Sequence, residues 1–495
     1  MRMPAPDPAL LARKAEIVRA LRRIVPGEGV VAEPEGLVPF ESDGLSAYRQ
    51  TPIAVVLPET TAQVSEILKW CSAEGVKVVP RGAGTSLSGG ALPLADGVVV
   101  GLSKFNRILE VDYDNRCAVV QPGVTNLAVS QAVEAEGFYY APDPSSQIAC
   151  TIGGNVAENS GGVHCLKYGL TTNNLLGCEL VLMNGEVLRL GGKGFDAPGY
   201  DLLGVVTGSE GLLGVVTEVT VRILPRPETA AALLLGFPTV EAAAATVGDI
   251  IAAGVIPAGL EMMDNPAIRA AEAFVHAGYP TEAAALLICE LDGPEAECAD
   301  LADQVRALAT ARGADFIRVS RSEAERLAFW AGRKAAFPAV GRIAPDYLCM
   351  DGTIPRRELP RVLAAIHQMG QAFGLGVANV FHAGDGNLHP LILYDADQPG
   401  QLAKAEAFGA EILKLCVAVG GVLTGEHGVG VEKRDLMGEM FDPTDLACQQ
   451  RVKCAFDPGL LLNPGKVFPT LHRCAELGRM HVHRGKLAFP DLPRF

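Results

Sequence analysis

Residues 80–102, PRGAGTSLSGGALPLADGVVVGL, place a run of glycine and small polar residues between two predicted strands. A Rossmann dinucleotide fingerprint needs a helix directly after its glycines, because the helix N-terminus holds the pyrophosphate. Here a proline, an Asp-Gly turn and a strand follow instead, which argues against that fold and against a nicotinamide enzyme. A loop of small residues can still hold a diphosphate through backbone N–H groups, although many such loops are only tight turns.

Two further stretches share this glycine-rich composition. One is PDPSSQIACTIGGNVAENSGG (Pro142–Gly162), and the other is GYDLLGVVTGSEGLLGVVTEV (Gly199–Val219), which runs straight into a strand. Three such loops at predicted strand ends indicate one long phosphate-containing ligand lying across several strands. Three unrelated turns are the alternative.

The pattern of predicted strands and helices changes at Pro225. Before it, short strands alternate with the glycine loops and one amphipathic helix, TTAQVSEILKWCSAEG, which Thr60 or Thr61 can cap and Gly75 can end. After it, ALLLGF, AGLEMMD, AAALLICELDG and DFIRVS have strand composition and are interspersed with amphipathic helices. This order predicts an α+β chain whose second half has a helix-backed, mainly antiparallel sheet.

Composition restricts the class of protein. The 495 residues are 49% hydrophobic and 20% charged, which predicts a globular chain of two or three domains. A net charge of −15 without a concentrated Lys/Arg face argues against nucleic acid as a partner. No uncharged apolar run reaches the ~18 residues of a membrane helix, and the N-terminus lacks the pattern of a signal peptide. We therefore expect a cytoplasmic location.

Cysteine spacing argues against a metal cluster held by thiolates. The chain has 12 cysteines but no C-x-x-C pair. An iron–sulfur cluster or zinc ribbon within this chain is therefore not expected. Reduced thiols in the core of a cytosolic protein are the better interpretation.

The segment FHAGDGNLHP (Phe381–Pro390) places two histidines around an Asp-Gly pair. A two-residue turn at Asp385–Gly386 would put His382 directly opposite His389, with their Cβ atoms ~5 Å apart on one face. Such a pair can chelate one metal ion at ~2.1 Å, or it can be a hydrogen-bonded histidine pair in a core. The hairpin alone leaves both readings open.

A third ligand is offered by GGVLTGEHGVG (Gly420–Gly430), in which Glu426 precedes His427 among glycines that permit close approach. Two histidines and one carboxylate leave coordination positions open, as in catalytic rather than structural metal sites. A 2-hydroxy acid could bind such a metal through its carboxylate and hydroxyl. A histidine that titrates near neutrality suits removal of the hydroxyl proton.

Together these motifs resemble the vanillyl-alcohol-oxidase type of flavoprotein. The three glycine loops resemble its FAD-binding domain, while FHAGDGNLHP, GGVLTGEHGVGVEKR and LLNPGKVF resemble its FAD-linked oxidase C-terminal domain. The similarity extends from about Pro52 to Phe468. Within the family it is strongest to the flavin-binding subunits that oxidise glycolate, with D-lactate and D-2-hydroxyglutarate dehydrogenases as close relatives.

The resemblance implies FAD, bound non-covalently because the first loop lacks the histidine that some relatives attach to the flavin. It also implies a two-part FAD-binding domain, followed by an α+β substrate (cap) domain. The implied segments are 1–51 (N-terminal helical), 52–225 (FAD-binding), 226–425 (cap), 426–470 (returning to the flavin) and 471–495 (tail). The implied FAD contacts are Pro80, Arg81, Gly82, Ala83, Gly84, Thr85, Ser86, Gly89, Pro144, Ser146, Thr151, Gly153, Gly154, Asn155, Glu210, Gly214, Val216 and Asn463.

The resemblance also assigns roles at the reacting end. His382, His389 and Glu426 match metal ligands, usually zinc, and His427 matches the catalytic base. The implied reaction is oxidation of a small 2-hydroxy acid, glycolate to glyoxylate, with hydride transfer to the flavin. D-lactate to pyruvate is the alternative. A non-catalytic FAD-binding scaffold subunit is the alternative of another class, and the complete set of metal and base residues argues against it.

Substrate recognition is expected near WAGRKAAFPAVGRIAPDYLCMDGTIP (Trp330–Pro355). Arg333 matches a substrate-binding arginine of the relatives, and a surface charge on a helix is the alternative. Hydroxyglutarate-type relatives carry a threonine and a lysine here that meet a second carboxylate. Phe337 and Cys349 stand at the best-matching positions and cannot neutralise one, which favours a small monocarboxylate.

Electron transfer beyond the flavin requires a partner in this interpretation. The resemblance implies subunits of an oxidase complex, one of them an iron–sulfur protein. Through such partners the chain could associate peripherally with the cytoplasmic face of the inner membrane.

Overall fold

The computed structural model describes residues 3–194 and 199–469. Residue 470 of the predicted returning segment and the whole predicted tail, 471–495, lie outside the described residues.

The strands of the described chain are mostly short in its first half and longer in its second. They are β1 (Val30–Val31), β2 (Ala54–Val56), β3 (Lys77–Arg81), β4 (Gly97–Gly101), β5 (Ile108–Asp112), β6 (Cys117–Val120), β7 (Phe138–Tyr139), β8 (Leu175–Val181), β9 (Val187–Gly191), β10 (Val215–Arg222), β11 (Leu224–Pro225), β12 (Thr229–Phe237), β13 (Gly259–Asp264), β14 (Ala285–Gly293), β15 (Phe316–Val319), β16 (Asp346–Cys349), β17 (Gly352–Thr353), β18 (Val377–Phe381), β19 (Asn387–Leu388) and β20 (Pro390–Tyr394).

Most long helices belong to the second half. The α-helices are α1 (Pro8–Ala12), α2 (Lys14–Ile24), α3 (Pro34–Leu37), α4 (Thr61–Glu74), α5 (Asn126–Val133), α6 (Ile152–Glu158), α7 (Cys165–Tyr168), α8 (Thr171–Asn174), α9 (Leu202–Val206), α10 (Val240–Ala252), α11 (Asn265–Val275), α12 (Glu295–Ala311), α13 (Glu323–Val340), α14 (Leu359–Phe373), α15 (Gln401–Ala418), α16 (Met437–Met440) and α17 (Pro443–Phe456). Single 3₁₀ turns occupy Val38–Phe40, Glu134–Glu136, Arg356–Glu358 and Arg434–Leu436.

Two larger sheets form the first half, beside a two-stranded sheet of β7 and β11. One has the order β1-β2-β4-β3, in which β4 pairs in parallel with both β2 and β3. The other is antiparallel, with the order β5-β6-β10-β8-β9. The chain passes from β3 to β4 without a helix in residues 82–96, all of which are described. The exclusion of a Rossmann fingerprint from the sequence is therefore correct.

Helix α4 packs as the sequence predicts. Thr60 Oγ1 accepts a hydrogen bond from the Gln63 backbone N–H at 3.2 Å, and Gly75 ends the helix with φ +67°. Its apolar stripe, Val64, Ile67, Leu68 and Cys71, is fully buried against β2, β3, β4 and α2. Burying each aliphatic side chain contributes about 1.5–3 kcal/mol, so this stripe fixes the helix on the sheet.

The second half is built on a seven-stranded antiparallel sheet with the order β15-β12-β14-β13-β18-β20-β16. Helices cover both faces. Leu233 and Leu235 of β12 pack with α10, α12, α14 and α15, while Ala232 and Leu234 pack with α11 and α13. Because successive side chains point to opposite faces, burial on both sides explains the unbroken apolar run of β12. The predicted α+β class with a mainly antiparallel second sheet is confirmed.

In residues 3–194 and 199–469, no helix is long and apolar enough to cross a membrane. The cysteines of the same residues are free thiols, most of them buried, as expected for reduced core side chains.

Candidate active site

The three glycine loops converge on one cavity of about 370 Å³. His389, Glu426, His427 and the α13 residues Lys334, Phe337 and Pro338 close its other side. The loops therefore surround one ligand-sized space, as predicted. The predicted FAD contacts on its wall are Pro80, Arg81, Gly82, Ala83, Gly84, Thr85, Ser86, Pro144, Ser146, Thr151, Gly153, Gly154, Asn155, Glu210, Gly214 and Val216.

Small residues are required where the first two loops meet. A Cβ on Gly82 would lie 2.5 Å from Thr151 Oγ1. Gly84 has φ +75°, and a Cβ there would lie 2.2 Å from Arg81 Nη2. Thr151 lines the cavity. Its Oγ1 atom is buried and has no hydrogen-bond partner in the described chain. A cradle of close-packed glycines with an unpaired hydroxyl fits a phosphate-bearing cofactor such as FAD.

Gly89 and Asn463 do not line the cavity, contrary to the expectation for FAD contacts. A Cβ on Gly89 would lie 2.4 Å from Val431 Cγ2, so this glycine lets a later segment approach. Asn463 Nδ2 donates to the backbone oxygens of Gly90, at 3.0 Å, and Glu210, at 2.7 Å. Both residues position the loops instead. A motif match alone cannot distinguish this role from direct contact with FAD.

Asn463 belongs to a segment that we name the C-terminal strap, residues 461–468. Its backbone pairs with β3, since Val78 N–H donates to Leu461 O at 2.8 Å and Asn463 N–H donates to Val78 O at 2.7 Å. Lys466 Nζ donates to Gly90 O at 3.2 Å. The strap thus ties the first glycine loop to the third loop from the far end of the described chain.

The hairpin around Asp385–Gly386 does not have the predicted register. His382 pairs with Asn387, so the turn contains four residues, 383–386, rather than two. His382 N–H donates to Asn387 O at 3.1 Å. His389 is therefore not directly opposite His382, and the predicted turn is wrong.

Neighbouring elements hold the wider turn. Gly384 N–H donates to Leu260 O at 2.9 Å, and Arg356 Nη1 donates to Gly384 O at 2.8 Å. The register differs from the predicted one by two residues, and side chains alternate with a period of two. His382 and His389 consequently still share a face as diagonal neighbours, with ring centroids 5.1 Å apart.

His382, His389 and Glu426 come together as one set of donor atoms. The Nε2 atoms of His382 and His389 lie 3.2 and 3.3 Å from Glu426 Oε1. Neither ring nitrogen of His389 has a hydrogen-bond partner in the described chain, although the ring is buried. Burial opposes ionisation of Glu426, but the nearby histidines, His382 first, lower its pKa to about 2. Unpaired imidazole nitrogens around an ionised carboxylate fit a divalent metal such as zinc.

A second set, Asp351, His389 and His427, shares His389 with the first. Asp351 accepts three consecutive backbone N–H groups of the loop that carries Glu426 and His427. The shortest of these bonds from Gly425, Glu426 and His427 measure 3.1, 3.2 and 3.0 Å. Asp351 is therefore already engaged, and we assign the metal to the first set.

Lys433 neutralises Asp351 in the interior. Its Nζ lies 2.9 Å from Asp351 Oδ2, and both side chains are fully buried. Burial opposes ionisation of the carboxyl, but Lys433 lowers the pKa of Asp351 well below its usual range. The pair holds the loop in place through its backbone N–H groups and through the Thr424 hydroxyl, which donates to Asp351 Oδ2 at 2.6 Å.

A second carboxylate holds the other end of this loop. Glu210 accepts from Val429 N–H at 2.6 Å and from Gly430 N–H at 2.7 Å, and Ser88 Oγ donates to His427 O at 2.9 Å. Glu210 lines the cavity, as predicted for a cofactor contact, but its carboxylate binds protein. The loop is thus fixed to both the glycine loops and the second-half sheet.

His427 lies between these anchors, with its side chain 14% exposed. Its ring stacks on His389 at a centroid distance of 4.8 Å, and its Nε2 lies 3.9 Å from Glu426 Oε1. Burial, assisted by nearby His389, lowers the pKa of His427 to about 4, although Asp351 opposes this shift. A neutral imidazole on the cavity wall can accept a proton near neutral pH.

Arg333 does not line the cavity, contrary to its expected contact with a substrate carboxylate. Its side chain is 1% exposed, and its Nε donates to Glu261 Oε2 at 2.8 Å. Arg333 therefore points to the sheet, while Lys334, Phe337 and Pro338 of the same helix face the cavity. The alternative of a surface charge is also wrong, because the residue is buried.

The two positions compared with hydroxyglutarate-type relatives differ in placement. Phe337 lines the cavity, and its ring lies 6.3 Å from that of His389. Cys349 is buried in β16 and is not among the lining residues. Only Phe337 can therefore restrict the space beside the metal ligands directly.

Sequence reasoning missed Glu261, Asp351 and Lys433, which hold the site residues in place. Glu261 interrupts the apolar run of β13, and Asp351 follows the apolar end of β16. A single carboxylate in a buried strand is a usable signal, because such groups are rarely buried without a partner. For Lys433 we find no comparable pattern, because its segment is rich in charges and glycine.

Two sequence families match the chain. The family described as "FAD linked oxidases, C-terminal domain" matches residues 226–467, and the "FAD binding domain" family matches residues 52–191. The chain is 58% identical to the glycolate oxidase subunit GlcD of Escherichia coli (strain K12), over 97% of each chain. It is 40% identical to the GlcD subunit of Bacillus subtilis (strain 168), over 88% of this chain and 92% of the other. A D-lactate dehydrogenase of Archaeoglobus fulgidus is 33% identical over 83% of this chain and 90% of its own.

Solved structures share the fold. p-Cresol methylhydroxylase with substrate bound superposes with a TM-score of 0.78 at 18% identity, covering 94% of this chain and 98% of the other. 4-Ethylphenol oxidase from Gulosibacter chungangensis gives a TM-score of 0.77 at 17% identity, covering 95% and 99%. These similarities confirm the fold expected from the vanillyl-alcohol-oxidase resemblance.

Proposed function

The chain belongs to the FAD-linked oxidases, and from this premise we propose that it oxidises glycolate to glyoxylate as the catalytic subunit of a glycolate oxidase complex. The observation that carries the proposal is the position of His427. This neutral imidazole lies on the cavity wall with the glycine loops and with two of the three metal-binding candidates, His389 and Glu426. A base, a metal site and a cofactor cradle on one cavity are the parts that oxidation of a 2-hydroxy acid needs.

The glycine loops are the proposed cofactor site. FAD, when bound, supplies the acceptor for the hydride that leaves the substrate carbon. We propose that the backbone N–H groups of residues 82–86 bind the diphosphate, and the loop has no histidine for a covalent link.

The metal site lies next to the base. A divalent metal, proposed as zinc and held by His382, His389 and Glu426, would supply a Lewis acid for the substrate's carboxylate and hydroxyl oxygens. We propose that His427 takes the hydroxyl proton at Nε2. The stack on His389 and the backbone bonds to Asp351 fix the direction of this ring.

Lys334 is the proposed cation for the substrate carboxylate, in place of Arg333. It is exposed on the cavity wall and lies one helical turn before Phe337 and Pro338. Phe337 fills space beside His389 and carries no charge, which favours a substrate with a single carboxylate.

Replacing Lys334 by methionine is expected to raise KM for glycolate about tenfold at low salt, while kcat changes little. The reason is that the lost contact stabilises the bound substrate and the transition state equally. Steady-state kinetics checks this, with Lys334→Arg as the matched control that keeps the charge. The difference should shrink at high salt, because the ion pair is screened. An unchanged KM would show that another group meets the carboxylate.

The electrons must then leave the reduced flavin. The relatives named GlcD are subunits of glycolate oxidases. We propose that this chain likewise works with partner subunits, one of them an iron–sulfur protein, and that these partners hold it at the cytoplasmic face of the inner membrane.

Anaerobic titration of the purified protein with glycolate is expected to bleach the visible flavin band, because the flavin is reduced by the substrate. The same titration with D-lactate, L-lactate and D-2-hydroxyglutarate defines the substrate. Bleaching by D-lactate alone would favour the second candidate, a D-lactate dehydrogenase, which the 33% identical relative supports. If no hydroxy acid bleaches metal-replete protein, the scaffold alternative replaces the proposal.

A further inference from the structure

Glu261 of β13 connects Arg333 to the metal-binding candidate His382. Its Oε1 lies 2.7 Å from His382 Nδ1, and its Oε2 lies 2.8 Å from Arg333 Nε. Glu261 and Arg333 are each 1% exposed. The three side chains form a buried, hydrogen-bonded row that ends at the metal site.

The two nitrogens of His382 have different neighbours in this row. Nδ1 faces the Glu261 carboxylate, which can only accept a hydrogen bond while it is ionised. Nε2 faces Glu426 Oε1 at 3.2 Å, on the side where the donor atoms converge. A neutral imidazole that carries its proton on Nδ1 therefore directs the Nε2 lone pair at the metal.

Arg333 is the buried ion-pair partner of Glu261. A carboxylate without a partner in this environment would be protonated rather than charged. The guanidinium supplies both the compensating charge and a hydrogen bond to the oxygen that His382 does not use.

We propose that the Glu261 carboxylate, held in place by Arg333, fixes the Nδ1–H tautomer of His382 and thereby sets the affinity of the His382–His389–Glu426 set for a divalent metal. This inference rests on the proposed function for its metal site. Glu261 and Arg333 are positioning residues here, since they act through His382. The proposal also gives Arg333 a role, although this residue does not line the cavity.

Replacing Glu261 by glutamine tests the tautomer directly. The amide N–H can donate to His382 Nδ1, which places the ring proton on Nε2 and blocks the metal side. We expect Zn²⁺ to bind about 10–100-fold more weakly to the FAD-loaded variant. Chelator competition on metal-depleted protein measures this without substrate. Saturating Zn²⁺ should restore most of the turnover, which a collapsed site would not show.

Asp264→Asn is the matched control, because it neutralises another buried carboxylate of β13. Asp264 accepts from the Asn379 side chain and caps α11, away from His382. Its metal affinity should stay within about twofold of wild type. Arg333→Lys keeps the positive charge beside Glu261 and should weaken metal binding less than Glu261→Gln does.

Two outcomes overturn the inference. One is a Glu261→Gln variant that folds, holds FAD and binds Zn²⁺ like wild type. The other is wild-type protein that does not bind Zn²⁺ tightly. If Glu261→Gln does not fold, Glu261→Asp retains the charge for Arg333 but withdraws the carboxylate from His382, and the same loss is expected. Wild type that binds Zn²⁺ but is not bleached by glycolate would contradict the proposed function and leave this inference intact.

Discussion

Alanine in place of His427 is expected to lower kcat for glycolate by about 10²–10⁴-fold, the range for removal of a general base. FAD should stay bound, because the substitution keeps the backbone bonds that fix this loop to Asp351 and, through Val429 and Gly430, to Glu210. Stopped-flow reduction of the flavin by glycolate measures the chemical step. The visible spectrum reports the cofactor content of the same sample.

His367→Ala is the matched control for the His427 variant. His367 is exposed on α14 and hydrogen-bonds Gln371, outside the FAD cavity. Its variant should reduce flavin at the wild-type rate. Wild-type rates in His427→Ala would remove this residue as the base, and loss of FAD from it would show that the ring, not the backbone, holds the loop.

Replacing Lys433 by methionine is expected to destabilise the protein by about 3–5 kcal/mol, as for a broken buried ion pair. The change leaves Asp351 buried and charged without its partner. Urea unfolding followed by tryptophan and flavin fluorescence measures the loss. Activity should fall at lower urea than the global transition, because Asp351 holds the loop with Glu426 and His427.

An exposed pair provides the control for the Lys433 variant. Lys414 lies 2.9 Å from Glu411 on α15, and the two side chains are 40% and 51% exposed. Lys414→Met should cost no more than about 1 kcal/mol, because water screens the pair. An equal loss of unfolding free energy in the two variants would mean that burial of the Lys433–Asp351 pair does not add to its contribution to stability.

The glycine loops and α4 were predictable because their signals are local. Thr60 and Gly75 mark the two ends of helix α4 through hydrogen bonds within a few residues. The sequence after residue 90 likewise shows that no helix follows the first glycine loop. The meeting of the three loops also followed, since each loop stands at the end of a strand. These features depend on local backbone conformation, which is determined by the residue types at the caps and turns.

The hairpin register and the position of Arg333 were not predictable from local sequence. Contacts from Leu260 and Arg356, far away along the chain, widen the turn that Asp385–Gly386 would otherwise close tightly. The face of α13 that meets the sheet was fixed by Glu261, a residue 72 positions earlier. Both errors come from tertiary contacts that override a local preference or a motif match.

The C-terminal strap has a consequence for how the protein is made. Val78 of β3 and Gly90 of the first loop bond to Asn463 and Lys466, which leave the ribosome almost 400 residues later. At about 5–20 residues per second, the first loop waits roughly 20–80 s for these partners. The cofactor cradle therefore closes only after the strap has been translated. We therefore expect flavin loading to follow translation of the strap, even though the loop proposed for the diphosphate is translated much earlier.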